Sequence, residues 1–241
     1  MSVRLGFAEG PGGAGAGEAE LAAFLGRLVR WDKAAVVRLR SAEGEDALGV
    51  FGHPPFGGVL AIKSMALRGG GIAETVDATV SAGELLEAVA AAADGGEFTV
   101  PGSVTGGAWA GVLPPRSGWL RIAELDAAAV RATAAGTVAE FRARTEALVP
   151  ERRTRAELDA LAEELWRRPL PASAPGVTLR VVHAAHALGF LPAPTREPAE
   201  SGAAETVVLL SAGPWVRLRT GYGSVAVRSA SAAGGLMVTP A

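Results

Sequence analysis

The sequence contains no cysteine, which excludes disulfide bonds, thiolate zinc sites and a cysteine nucleophile. Lysine is nearly absent as well, because Lys33 and Lys63 are the only two and the other basic side chains are arginines. This ratio, in a chain rich in alanine and glycine, is typical of a very GC-rich genome. The number of arginines therefore does not indicate a function, and only the position of each one is informative.

The sequence also lacks a long apolar run. Its longest apolar stretch, residues 177–191, contains Arg180 and two histidines and is shorter than the roughly 20 residues that span a bilayer. The N-terminus shows a short strand pattern rather than the basic and then apolar segments of an export signal. We therefore expect a cytoplasmic protein without a membrane partner.

The net charge of the 241-residue chain is only -2, which provides no overall field to attract nucleic acid or anionic lipid. The charge is nevertheless uneven. Residues 1–112 hold eight basic and 13 acidic side chains, whereas residues 113–241 hold 15 basic and 12 acidic ones. A surface that binds a polyanion would therefore belong to the second half.

Apolar residues recur with strand and helix periods in separate blocks. In the first half, strands are predicted at 3–7, 34–40, 47–51, 59–67, 74–80 and 98–101, and helices at 18–31 and 82–93. In the second half, helices are predicted at 126–148, 154–168 and 176–189, and strands at 205–212, 215–220 and 224–229.

This pattern predicts an α+β fold. A mostly antiparallel N-terminal sheet with two helices is followed by a three-helix block and a C-terminal β-hairpin or meander. The corresponding domains are 1–112 and 113–241, although strands from both halves would also suit one continuous domain. Ser81 with Glu84, and Thr154 with Glu157, have capping-box spacing, which predicts where two of the helices begin.

The segment WAGVLPPRSGW, residues 109–119, carries tryptophans at both ends and two prolines in its middle. Tryptophan and arginine often dominate protein interfaces, so Trp109, Arg116 and Trp119 are candidates for contact with a partner. The alternative is a connector whose tryptophans anchor it to the core. In that case Arg116 is the residue expected to stay exposed.

The strand WVRLRT predicts a second candidate surface, in the C-terminal hairpin. Trp215, Arg217 and Arg219 alternate onto one face, which Arg228 on the next strand would join. Such a face can stack bases and hold phosphates, and helices followed by a hairpin are similar in order to a winged helix. However, the preceding helix is almost entirely apolar and therefore unsuited to a DNA groove. An intramolecular cation–π contact is the alternative.

Two weaker patterns would bind a cofactor or a metal. Gly10, Gly12 and Gly15 fit the GxGxxG motif between a strand and a helix, but Glu18 and Glu20 would repel a pyrophosphate there and no βαβ unit follows. A loop without a cofactor is the alternative, and we expect no cofactor.

His183 and His186 lie one helical turn apart, with His53 as a conceivable third metal ligand. Their helix contains no carboxylate, so histidines packed within a helix interface are the alternative. The same three histidines are also the obvious general bases.

The two lysines are expected to be surface residues. Asp32 and Lys33 follow a predicted helix and form an ordinary solvated pair. Lys63 lies within the apolar strand 59–67, where its alternation with its neighbours predicts an outward-facing side chain.

The chain resembles a family of cytosolic proteins from high-GC Gram-positive bacteria that has no established function. The resemblance lies in FLGRLVRWDKAAVVRLR (24–40), LPPRSGW (113–119), HAAHALGFL (183–191) and WVRLRTGYGSVAVR (215–228). It implies a bacterial, cytoplasmic setting and assigns no active residues.

No set of residues brings together a nucleophile, a base and an oxyanion donor. We therefore expect a non-catalytic binding or regulatory protein that acts through protein–protein contacts. Nucleic-acid binding through the Trp/Arg face of the hairpin is the first alternative. An enzyme with a nucleotide or metal site is the second.

Overall fold

The computed structural model describes residues 3–9, 13–69, 72, 74–92, 94–170, 176–192 and 206–228. The chain divides into two compact units, Met1–Leu113 and Pro114–Ala241. Within the described residues, no helix is both long enough and apolar enough to cross a membrane.

The first unit is built from antiparallel strands and two helices. Its elements are β1 (Arg4–Leu5), α1 (Ala16–Trp31), β2 (Val36–Ser41), β3 (Ala47–Gly52), β4 (Leu60–Ala66), β5 (Val76–Ser81), α2 (Ala82–Ala91) and β6 (Phe98–Thr99). The main strands lie in the order β5–β2–β3–β4, each antiparallel to its neighbour. The short strands β1 and β6 form a separate pair.

Helices α1 and α2 pack on one face of this sheet. Alternate residues of β2 and β3, such as Leu39 and Val50, point to that face and are fully buried. Gly52 allows α1 to approach closely, because a Cβ atom at this position would lie 2.6 Å from Leu28 Cδ1. The buried core of the unit therefore lies between this face and the two helices.

The prediction for Lys63 was wrong. Its side chain lies on the helix-facing side of β4, opposite Val50, and only 6% of the residue is exposed. Lys63 Nζ lies 2.6 Å from the Oε2 atom of Glu20 on α1. A buried ammonium group needs such a partner. The prediction failed because the sequence of one strand does not indicate that a distant helix supplies a carboxylate.

The second unit contains β7 (Leu120–Asp126), α3 (Ala127–Ala147), α4 (Arg155–Trp166), α5 (Leu179–Ala187), β8 (Thr206–Ala212), β9 (Trp215–Thr220) and β10 (Gly223–Arg228). Its strands follow the order β7–β8–β9–β10 and are all antiparallel, with β9 and β10 joined as a hairpin. The predicted α+β class, with two helices and then three, is confirmed.

The sequence pattern did not predict β7. Its alternation is broken by a bulge between Arg121 and Ala123, and most of its side chains are exposed, so the usual apolar signal of a strand is weak. The strand leads directly into α3, whose N-cap Asp126 accepts a hydrogen bond from the Ala129 amide.

The helix starts at Ser81 and Thr154 are confirmed, because each hydroxyl oxygen accepts a hydrogen bond from the amide of the glutamate three residues on. Arginines join the helices of the second unit. Arg144 and Arg168 both bind Glu164, and Arg180 of α5 binds Glu163 of α4. These arginines therefore have a structural role, although the more exposed pairs of Arg144 and Arg168 contribute little individually.

Gly223 provides a test of core packing in the second unit. It has a φ of +153°, and a Cβ atom there would lie 2.6 Å from Cε1 of the buried Phe190. We expect Gly223→Ala to lower the free energy of unfolding by about 1–3 kcal/mol, because the ring has no room to move away. Gly221 lies in the turn just before β10, and a Cβ atom there would have no neighbour within 4 Å. Gly221→Ala is therefore the matched control and should change stability by less than about 0.5 kcal/mol. Equal effects in urea denaturation would contradict this packing.

Candidate functional site

The first unit contains a cleft of about 270 Å³ at the C-terminal end of α1. Three segments form it: the turn between α1 and β2, the loop after β3, and the segment after β6. Asp32 comes from the first, His53 and Pro54 from the second, and Trp109 from the third. The rings of His53 and Trp109 stack with centroids 5.8 Å apart and an angle of 17° between their planes. We call this feature the His53–Trp109 cleft.

The glycine-rich segment after β6 holds Trp109 in place. The Val104 amide donates a hydrogen bond to the carbonyl of Thr79 in β5. A Cβ atom on Gly106 would lie 2.9 Å from Thr79 Cγ2, and one on Gly107 would lie 3.0 Å from Trp109 Cδ1. A side chain at Gly106 would clash with Thr79, and one at Gly107 would press on the half-buried indole, so both glycines help to position Trp109.

Asp32 gives this cleft a negative side. Asp32 is the C-cap of α1, where its amide donates to the carbonyl of Leu28 and its carboxylate accepts a hydrogen bond from the Ala34 amide. The carboxylate therefore stands at the negative end of the helix dipole. Asp32 and Lys33 are exposed, as the sequence predicts, but Asp32 also faces a cleft with an aromatic wall. That combination suits a cation.

The loop after β3 is fixed to the same helix. The Phe56 ring contacts Trp31 of α1 edge to face, with centroids 5.1 Å apart. Pro54 and Pro55 precede Phe56 and restrict the backbone of the loop. The loop that carries His53 is therefore held in position without a ligand.

A second hollow in the first unit, of about 280 Å³, is lined by Arg38, Arg40 and Asp77. Its one carboxylate is shared by two arginines, which leaves a net positive charge. Arg38 Nη2 lies 2.7 Å from Asp77 Oδ1, and Arg40 Nε lies 3.5 Å from the same oxygen. Unlike the His53–Trp109 cleft, this hollow therefore offers a basic side chain no carboxylate that is not already paired with an arginine.

In the second unit, Trp215, Arg217, Arg219 and Arg228 lie on one face of the hairpin, which we call the Trp/Arg face. Trp215 pairs with Arg228, while Arg217 and Arg219 pair with Ala226 and Ser224. The Arg228 guanidinium carbon lies 5.9 Å from the centroid of the Trp215 ring. Because Trp215 is only 7% exposed, its ring offers little surface on which a base would stack.

Trp119 covers a second arginine of this face. The Arg217 guanidinium carbon lies 5.6 Å from the centroid of the Trp119 ring, and Arg217 Nη2 donates to Ser224 Oγ. Burial, with a smaller effect of the Arg219 charge, lowers the pKa of Arg217. Trp119 Nε1 also donates to the carbonyl of Pro115, which fastens the loop to itself. Arg116 is exposed, as predicted.

Of the GxGxxG motif, Gly10 and Gly12 lie outside the described residues. Gly15 precedes α1 with a φ of 80°. Gly17, two residues on, packs closely against Phe7, because a Cβ atom on Gly17 would lie 2.9 Å from Phe7 Cβ. Glu18 is buried in the first turn of the helix, which is unfavourable for a pyrophosphate.

The two histidines of α5 have different surroundings. His183 stacks on Trp166 of α4, with centroids 4.2 Å apart, whereas His186 is exposed. In the part of the chain that the structure describes, no group of three or more His, Cys, Asp or Glu side chains has a metal-binding arrangement. The metal hypothesis for His183 and His186 therefore gains no third ligand from these residues.

The sequence singles out Trp109, His53 and Asp32 separately but does not bring them together. In the sequence, Trp109 is a candidate interface residue, His53 a conceivable metal ligand and Asp32 part of a surface pair. In the sequence, the three residues share only a position in a segment that follows a helix or a strand. Such a position does not indicate which segments lie side by side in the fold.

Both parts of the chain match domain families of unknown function. Residues 14–111 match the domain of unknown function DUF8010, and residues 114–232 match the domain of unknown function DUF8185. A search of curated proteins finds no match. These matches agree with a family that has no established function, and the high-GC Gram-positive origin stays a prediction.

Among solved structures, bacterial DNA polymerase sliding clamps show partial similarity. The clamp from Caulobacter crescentus matches with a TM-score of 0.49 and 17% identity, over 95% of this chain and 65% of that one. The clamp from Pseudomonas aeruginosa matches with a TM-score of 0.46 and 12% identity, over 88% of this chain and 61% of the clamp. The chain thus spans less than two thirds of these clamps.

The stacked His183 predicts a pH-dependent stability. Burial, with a smaller effect of His186, lowers its pKa from 6.5 to about 4. The unfolded chain therefore takes up the proton first, and His183 should reduce stability progressively as the pH falls from about 6.5 to about 4.

His183→Phe keeps an aromatic ring against Trp166 and removes the titrating group. We expect the variant to lose less stability than the natural protein over this pH range, measured by urea denaturation at each pH. His186→Gln removes only the smaller cause of the shift, so it should lessen the loss of stability much less than His183→Phe does. Parallel curves for His183→Phe and the natural protein would refute the effect.

Proposed function

We propose that this protein acts without catalysis, by binding another protein, and that the His53–Trp109 cleft receives a basic side chain of that partner. The observation that carries the proposal is the convergence of Asp32, His53 and Trp109 around one cleft of about 270 Å³. A volume of this order suits one long side chain rather than a large cofactor.

The cationic preference follows from two groups in the cleft. The Asp32 carboxylate lies at the negative end of α1, and the half-buried Trp109 indole offers a polarizable ring. Lysine and arginine side chains combine an apolar stem with a charged end, so either can contact both groups at once. Residues 1–112 also have an excess of acidic side chains, which favours approach of a basic segment.

The remaining tryptophan candidates support this choice of surface. Trp215 is buried and Trp119 already contacts Arg217. Each of these two rings already has an arginine of its own unit beside it, whereas Trp109 stacks on His53 and also lines a cleft that contains a carboxylate. Among these three tryptophans, Trp109 in the first unit is therefore the best candidate for contact with a partner.

The chemistry of the cleft can be tested with N-acetylarginine amide and N-acetylglutamate amide as probes. We expect saturable NMR shifts of the Trp109 indole N–H with the arginine probe only, in the millimolar range typical of so small a ligand, about 1–10 mM. Asp32→Asn should weaken this binding several-fold because the carboxylate is lost. Asp94→Asn, at another exposed carboxylate of the same unit, is the control.

Equal shifts with both probes, or unchanged arginine binding by Asp32→Asn, would overturn the assignment of this cleft. The protein–protein role has its own test. Affinity capture from the protein's own cells should recover a specific partner with the natural protein and Asp94→Asn, and should lose it with Asp32→Asn and with Trp109→Ala.

A further inference from the structure

Strand β7 lies at one edge of the second unit's sheet and exposes apolar side chains. Leu120 is 70% exposed and Ile122 is 38% exposed. The strand contains neither proline nor lysine, which commonly protect a sheet edge. An edge of this composition is a template for another strand.

The bulge in β7 determines which of its side chains share a face. Arg121 pairs with Leu210 and Glu124 pairs with Val208, so both lie on the same face although they are three residues apart. Leu120 and Leu125 pair with Ser211 and Val207 and share the opposite face. Ile122 is the additional residue that shifts the register.

With Ile122 taken up by the bulge, β7 is complementary to itself. An antiparallel copy centred on Ala123 sets Arg121 opposite Glu124 and Leu120 opposite Leu125. By symmetry both contacts occur twice, as an isologous interface requires. Opposite charges and apolar pairs on neighbouring strands are both favourable.

We propose that two copies of this chain associate through β7, antiparallel and about a two-fold axis at Ala123. The side-chain faces agree in this register, because each pair joins residues of the same sheet face. The bulges also compensate, since the two residues Arg121 and Ile122 of each copy lie opposite the single Glu124 of the other. A bulge that would disrupt pairing with an unrelated strand is therefore compatible with a second copy.

Within one chain, Arg121 Nη1 lies 2.7 Å from Glu124 Oε2. The same two groups are exposed and would exchange partners across the axis, so association leaves no charge unpaired. The proposal concerns the second unit alone and does not depend on the His53–Trp109 cleft.

Charge-reversal variants provide the test, with sedimentation velocity across about 1–100 µM protein, a range that detects micromolar association. The natural protein should form a dimer. Arg121→Glu and Glu124→Arg should each weaken dimerisation by about tenfold or more, because like charges then face each other twice. Arg142→Glu, at an exposed arginine of α3, is the matched control and should leave the dimer unchanged.

Mixing the two single variants separates association from folding. At positions 121 and 124, the Arg121→Glu chain has two glutamates and the Glu124→Arg chain has two arginines. The mixture should therefore form a heterodimer even though each variant alone stays monomeric. The intramolecular pair is broken in both variants and cannot explain such a rescue. A natural protein that is monomeric throughout, a dimer insensitive to both variants, or a mixture without rescue would each overturn the proposal.

Discussion

In the residues that the structure describes, the helices of each unit cover one face of its antiparallel strands, so the polar side chains of the opposite face need partners of their own. On the helix side, fully buried residues such as Leu39 and Leu218 form the cores. On the other side, the first unit joins Arg38 to Asp77 by ion pairing. The second unit places Trp119 over Arg217. The arginines of this face thus acquire partners from a neighbouring strand or from a loop.

The two tryptophans of the segment 109–119 have different roles in the structure. The division between the units falls between Leu113 and Pro114, so Trp109 belongs to the first unit and Trp119 to the second. Trp119 anchors its loop through Arg217 and the Pro115 carbonyl. Trp109 is held by His53 and the neighbouring glycines but still lines a cleft. The two tryptophans, similar in sequence, therefore have different capacities for binding.

Helices and buried strands could be predicted because their signals are local: apolar periodicity within each element, and the caps Ser81 and Thr154. The edge strand β7 was missed because its bulge breaks the alternation. Lys63 was misplaced because its partner Glu20 is distant in sequence. The cleft was missed for the same reason, since Asp32, His53 and Trp109 meet only through the packing of three separate segments.

The central claim is that a basic segment of a partner occupies the His53–Trp109 cleft. Site-specific photo-crosslinking from position 105, at the exposed rim residue Thr105, tests it in the protein's own cells. Mass spectrometry of the crosslinked peptide should locate an arginine or lysine of the partner beside the crosslink, with a yield that falls in Asp32→Asn. A crosslinked segment without a basic residue, or a yield unaffected by Asp32→Asn, would contradict the account.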